Sequence, residues 1–359
     1  MTVIDQNSLD SMSESQIRDL ANTAKGKDKD KVLSEAAAHE RTPLDVLDFL
    51  SGKSQRVRAA LAKNPRLSAE LFEKLCADEA PRVRAALASN RSVPAAILEK
   101  LAGDVDPSVR AAVARSPAAT SELLRKLAQK RENKGLVFAS IASNESAPPE
   151  LILDLVRSED ESVRSRGRGG EGDEMFFADE SFEVLSSAAA NPNTPSEALK
   201  TLSRYKGNEI EWNLAKNPSA PREVLEKILA SGTMSAKRDM ALNPALPKEL
   251  ALKLAAIGDE LCSANLASKE LGSDVVGAAL DAFASLRSAE KVALAASKNP
   301  QTPPQALRRL YEEFVKPPQN ELVLFRLARN PSTPKDVLAR LAQNTSDRVA
   351  KAALKNRGV

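Results

Sequence analysis

The sequence predicts an all-α chain in which short helix pairs stack into a solenoid. Three observations carry that expectation. The stretch VRAALAKNP at 57–65 returns as VRAALASNR at 83–91 and as VRAAVARSP at 109–117, each copy 26 residues after the last. Apolar residues make up 42% of the 359, yet only 3% are aromatic; much of the rest is Ala and Leu, which favour helices and close helix contact. No window alternates with period two for long, and strand-forming Val, Ile and Tyr runs are missing.

The repeat is tracked by the Asn that closes each copy, usually followed by Pro: Asn64, Asn90, Asn144, Asn191, Asn217, Asn243, Asn299, Asn330 and Asn356. His39, Ser116, Gly170 and Lys269 fill the same slot, which gives 13 units, most of them spaced by 26. Three residues after the anchor a helix start is expected. In NPNTPSEALKTL, Thr194 reads as an N-cap, Pro195 as the first helical position and Glu197 as the end of a capping box. Thr42, Thr302 and Thr333, each before a proline, read the same way. Leu98 and Leu101, Leu124 and Leu127, Leu199 and Leu202, and Leu338 and Leu341 then mark one apolar face of a first helix.

A short turn leads to the second helix. Val57, Val83, Val109, Val163 and Val349 begin it, and Leu61, Leu87, Val113, Leu214 and Leu327 lie four residues on. The next residue is alanine in unit after unit (Ala62, Ala88, Ala114, Ala142, Ala215, Ala241, Ala267, Ala328), which points to tight packing between neighbouring turns. Asn can cap this helix, and the following Pro prevents its continuation. A pair of short helices cannot bury its own apolar face, so it must stack on copies of itself.

The pattern V-R-x-A-[LV]-A-x-N-P followed by T-P-x-x-[VL]-L-x-x-L-A resembles the variant leucine-rich repeat, a bacterial HEAT-like helical repeat. The match spans about residues 33 to 359. The resemblance implies two short helices per unit wound into a right-handed superhelix, and it implies no activity. The best-known member pairs such repeats with a cysteine cluster for an iron–sulfur centre. Cys76 and Cys262, two thiols 186 residues apart, cannot supply four ligands, so no cofactor is expected.

Several segments break the pattern. Residues 1–30 are polar and read as a flexible arm with one short helix in SESQIRDLANT, leaving 31–359 for the solenoid. SEDESVRSRGRGGEGDEMFFADE, about 158–180, reads as a degraded unit in which a Gly-rich mobile insertion breaks the second helix. KPPQN at 316–320 reads as a rigid linker. The N-terminus lacks the basic start and apolar core of a secretory signal, and no apolar run approaches the length of a membrane span. The expected setting is cytoplasmic, with no membrane partner.

A formal charge of +3 is too small to name a partner class, but its distribution is uneven. Residues 1–50 carry 6 Lys/Arg against 10 Asp/Glu, residues 51–130 carry 15 against 8, and residues 316–359 carry 9 against 3. The slot six residues before the anchor holds Arg58, Arg84, Arg110 and Arg164, and Lys237 once more. Elsewhere it holds Phe138, Leu185, Glu211 or Ala293, so the charge does not persist along the chain. Asp78 and Asp104 each precede an arginine, Arg84 and Arg110, by six residues, which suggests an Asp–Arg ladder tying units together. The competing reading makes the row, with Lys63, Arg66, Arg82, Arg91, Arg115 and Lys126, a grip for DNA or another nucleic acid.

No catalytic set stands out. His39, the one histidine, occupies an anchor slot and reads as a cap. There is no C-x-x-C, H-E-x-x-H or G-x-S-x-G, and Glu159, Asp160 and Glu161 read as solvated carboxylates in a polar turn. Trp212 sits near Leu214 and reads as core. The expected function is a non-enzymatic scaffold that recognises another protein through the surface of its repeats, with nucleic-acid binding through the arginine row as the alternative.

Overall fold

The computed structural model describes residues 12–25, 28–167, 179–205 and 209–356. Among these, every regular element is helical: 24 α-helices, one short 3₁₀ turn and no strand. The chain forms two compact units, Met1–Thr201 and Leu202–Val359. Within each, first and second helices alternate, and second helices pack on one another from repeat to repeat.

The second helices of the first unit are Lys29–Ala38, Gln55–Leu61, Pro81–Ala88, Pro107–Arg115, Leu136–Ser143 and Asp179–Ala190. Those of the second unit are Glu209–Lys216, Met234–Met240, Glu260–Ala267, Glu290–Lys298, Glu321–Arg329 and Asp347–Asn356. Val57, Leu61, Val83, Leu87, Val109 and Val113 are fully buried, each contributing about 1.5–3 kcal/mol of apolar burial. The alanines before each anchor, Ala62 through Ala328, are buried as well. A methyl at that register lets neighbouring helices approach closely.

The anchor asparagines hold this approach in place. The Asn64 side-chain amide donates to the carbonyls of Ala37 and His39, both at 2.8 Å, while its oxygen accepts from the Arg66 backbone N–H at 2.9 Å. Asn90, Asn144, Asn243, Asn299, Asn330 and Asn356 reach the same two carbonyls of the preceding repeat. The side chain expected to cap its own helix therefore staples one repeat to the one before.

The same register can be followed across the longest spacing. Asn191 donates to the carbonyls of Ala142 and Asn144, so the register runs from 144 directly to 191; Gly170, expected as an anchor between them, lies outside the described residues. Among the described residues six anchor positions fall in each unit. The run expected to break instead continues the 19-residue helix Pro149–Gly167. Residues 168–178, the rest of the expected Gly-rich insertion, lie outside the described residues. Glu159 and Asp160 are not solvated: both are buried on that helix, and the Ser181 hydroxyl donates to Glu159 at 2.6 Å.

The threonines before proline have a different job from the one expected. The helices Leu44–Leu50, Pro304–Phe314 and Lys335–Leu341 are N-capped by Pro43, Pro303 and Pro334. Thr42, Thr194, Thr302 and Thr333 turn their hydroxyls back to a carbonyl six residues earlier, at 2.5–2.7 Å. Each closes the end of the second helix behind it. Glu197 completes no box and pairs with Arg157.

Within the segment expected as an arm, Glu14–Thr23 is a helix with a Ser13–Gln16 capping box, and Ile17 packs against Ala36. The KPPQN turn is pinned by Arg287, whose guanidinium donates to the carbonyls of Glu313, Lys316 and Pro318.

Ser116 fills an anchor slot without the reach of asparagine. It is 1% exposed and its hydroxyl has no partner, yet its backbone (φ −61°, ψ 131°) is close to that of Asn144 (−77°, 121°). Ser116→Asn is expected to supply the missing donors for Ala88 and Asn90 and to stabilise the fold by about 1 kcal/mol. Calorimetry should show the unfolding midpoint rise by about 2–4 °C.

Candidate functional site

The arginine row lies inside the stack. Arg58 meets Asp78 through Nε at 2.6 Å and Nη2 at 3.0 Å, and its Nη1 donates to the Lys53 carbonyl at 2.9 Å. Arg84 meets Asp104 at 2.6 and 2.8 Å and the Asp78 carbonyl at 2.7 Å. Each guanidinium thus takes a carbonyl from the turn before its own helix and a carboxylate from the following repeat. The aspartate six residues before an arginine is not its ion-pair partner; it offers only a backbone oxygen. Arg110 keeps this pattern with Asn133 in the carboxylate's place, at 2.6 Å.

Electrostatics agree with a structural role. Burial pushes the Asp78 and Asp104 carboxyls up, but Arg58 and Arg84, with the Ala80 and Asp106 N–H groups, outweigh it and hold both below the usual range. The two remaining slot residues stand apart. Arg164 is largely exposed and reaches only Asp160, four residues back on its own helix, at 3.8 Å. At the Lys237 rung the neighbour Arg238 does the pairing, meeting Asp259 at 2.7 Å and, as the foremost cause, drawing its carboxyl down to about 2.

In the second unit a different row is exposed in whole or in part. Five residues before each anchor, the first unit carries only small side chains: Ser34, Ala59, Ala85, Ala111, Ala139 and Ser186. The second unit carries Trp212, Arg238, Ala264, Leu294, Phe325 and Lys351. Trp212, expected in the core, is 37% exposed because this helix position points away from the stack. Around Phe325 the helices Glu290–Lys298, Glu321–Arg329 and Asp347–Asn356 bring together Lys298, Arg326, Arg329, Arg348, Lys351 and Lys355. Among the described residues only Lys351 has a carboxylate, Asp347 at 3.7 Å; the other five have none within 4 Å.

Phe325 organises this face. The Arg348 guanidinium lies 4.0 Å from its ring centroid and that of Arg329 5.6 Å, distances at which a cation is drawn to an aromatic ring. Arg326 is tethered to the Leu294 carbonyl at 2.7 Å. Two grooves share Phe325 and Arg329: one of about 360 Å³ with Leu322 and Lys298, the other of about 530 Å³ with Arg348, Ala352 and Lys355. The first unit offers a contrast. Its groove of about 700 Å³ beside Phe138 and Leu151 has mixed charge at the rim, where Arg125 is paired with Glu150. The Phe325 face escaped sequence reasoning, although the 9-to-3 excess of cations in residues 316–359 was its trace.

One half-buried cation is part of the frame. Lys269 occupies an anchor slot, and its Nζ donates to the Asn243 carbonyl at 2.8 Å, the position an Asn amide would take. Burial pushes the ammonium down to about 8. A folded-state value below the unfolded one, about 10.4, means that the charged form opposes folding. The penalty is full below pH 8 and fades as pH rises toward 10. Lys269→Asn is expected to raise the melting midpoint by about 2–4 °C at pH 7, with the gap to wild type closing above pH 9. A gap that stays constant across that range would refute the assignment.

Among the described residues no group of three or more His, Cys, Asp or Glu side chains could hold a metal, and no helix is long and apolar enough to cross a membrane. Burial pushes the Cys262 thiol up to about 12. His39 is buried, and its Nδ1 accepts from the Arg41 N–H at 3.3 Å.

No family model matches the chain, and no curated protein matches it. Among solved structures, the crystal structure of an engineered protein from the Northeast Structural Genomics Consortium is 14% identical, over 96% of this chain and 98% of that one. Its TM-score is 0.11, too low to carry an argument.

Proposed function

We propose that this chain is a binding scaffold of the variant leucine-rich-repeat kind, without an active site of its own, and that its partner is another protein. The observation that carries the reading is the exposed row of the second unit. Its buried positions repeat nearly unchanged, while the position five before the anchor holds Trp212, Leu294, Phe325 and Lys351, beside a small Ala264 and an Arg238 that is paired with Asp259 between repeats. Packing alone asks only for something small there, as the first unit's alanines show. Bulky, varied side chains at one exposed register suit recognition by many separate contacts. Arg58, Arg84 and Arg110 are not part of this surface, since their guanidiniums are used between repeats.

The test is site-specific photocrosslinking in cells of the source organism. A benzophenone amino acid at Trp212 or Leu294 should give discrete protein adducts, and one at exposed Leu44, on a first helix of the first unit, should give none. Adducts to nucleic acid in place of protein, or equal labelling from Leu44, would overturn the reading.

A further inference from the structure

We infer that the basic face around Phe325 is a docking site for an acidic peptide segment that carries a bulky apolar side chain. This rests on the protein-binding reading above and names its partner's chemistry. Three observations support it. The face gathers six cations on three successive second helices and, among the described residues, answers them with one carboxylate. Elsewhere in the fold Arg58, Arg84, Arg238 and Arg308 each have an aspartate within 3 Å. Six cations converging from three neighbouring helices, five of them with no carboxylate within 4 Å among the described residues, make a place for an anion from outside.

The grooves supply the second observation. Leu322, Phe325 and Ala352 give them apolar walls beneath the charged rim. An apolar side chain entering either groove would be flanked by guanidinium and ammonium groups placed to meet carboxylates on both sides. Arg329 belongs to both grooves, and as a planar fork it can meet a carboxylate through two parallel N–H donors.

The third observation separates a peptide from a nucleic acid. Binding of single strands relies on aromatic faces on which bases stack. Here the Phe325 ring is already covered by Arg348 at 4.0 Å, and both tyrosines, Tyr205 and Tyr311, are buried. The face offers charge and apolar walls without a free stacking platform.

The experiment is selection of a phage-displayed library of random dodecapeptides on the full-length protein. A parallel selection uses the variant with Arg329→Ser, Arg348→Ser and Lys355→Ser. All three positions are exposed, and circular dichroism should give the variant a melting midpoint within about 2 °C of wild type. The expected result is enrichment on wild type of sequences with several Asp or Glu around one Leu, Ile, Phe or Trp, with that enrichment lost on the variant. A selected peptide, made with a fluorescent label, should bind at least tenfold more weakly to the variant and more weakly at 200 mM than at 50 mM salt. Enrichment without acidic bias, or equal enrichment on both proteins, overturns the inference. So does tighter binding of a labelled 12-nucleotide single strand than of any selected peptide. Protein adducts from Trp212 or Leu294 alongside any of those results would leave the scaffold reading standing and remove only this site.

Discussion

Asn90→Ala is expected to cost about 3 kcal/mol of folding stability, read as a shift in the urea midpoint at pH 7. The side chain is 2% exposed and makes three bonds at 2.8 Å: two from its amide to the Ala62 and Asn64 carbonyls, one from the Ser92 N–H to its oxygen. Each such bond contributes about 1 kcal/mol net, and the two carbonyls are left without a donor inside the stack. In a repeat array, stability is the sum of weak units and the interfaces between them, so loss at one interface also loosens cooperativity. The transition should broaden as it moves. Asn90→Asp sharpens the test. It keeps the shape and the acceptor for Ser92, but points a carboxylate at two carbonyl oxygens. That repulsion raises the folded-state pKa, so the variant should be least stable near pH 7 and recover as pH falls toward 4, when a protonated oxygen can donate again. A loss under about 0.5 kcal/mol for alanine would show that the asparagines merely end helices.

The sequence made the repeat, its helical class and its apolar registers readable, because burial at fixed spacing leaves a periodic mark. Val57, Val83, Val109 and the alanine row all lie where that mark put them. Partners between repeats were harder to read, and the arithmetic of the repeat says why. An aspartate six residues before one arginine is also twenty residues after the arginine of the preceding unit, since the two separations add to the period of 26. Spacing alone cannot choose between Asp104 with Arg110 and Asp104 with Arg84; only the direction in which an arginine extends across the stack does. The threonines misled for a similar reason. A Thr before Pro has the residue type of an N-cap, but the Thr302 hydroxyl points backward to the Ala296 carbonyl. Between 144 and 191 the period is interrupted: the chain builds the long helix Pro149–Gly167, and the Asn191 amide reaches straight back to the Ala142 and Asn144 carbonyls. The Phe325 face was invisible as a cluster because its members come from three repeats, each an ordinary exposed cation on its own helix.

The Arg84–Asp104 pair decides between strut and grip at the position where the row is clearest. The side chains are 12% and 7% exposed, and the bond is bidentate. Removing one partner of a pair this buried leaves the other charge without compensation, a loss of about 3 kcal/mol or more. Arg84→Ala should therefore destabilise strongly. Replacing both residues, Arg84→Met with Asp104→Leu, should cost less than either single change because neither variant side chain then carries a buried charge. The pH response supplies an independent reading. In the wild type the Asp104 carboxyl lies below its unfolded value, so its contribution is present above about pH 4 and is lost as pH falls. In Arg84→Ala the upward push of burial loses its main opponent, and the carboxyl rises. The drop in melting midpoint between pH 7 and pH 3.5 should then be smaller in the variant than in the wild type. A surface grip predicts the opposite on every count: Arg84→Ala melting with the wild type, the same acid response, and no coupling between the two positions. A strut requires the loss, the flattened acid limb and the coupling together, since all three come from one guanidinium bridging a carbonyl of its own repeat and a carboxylate of the next.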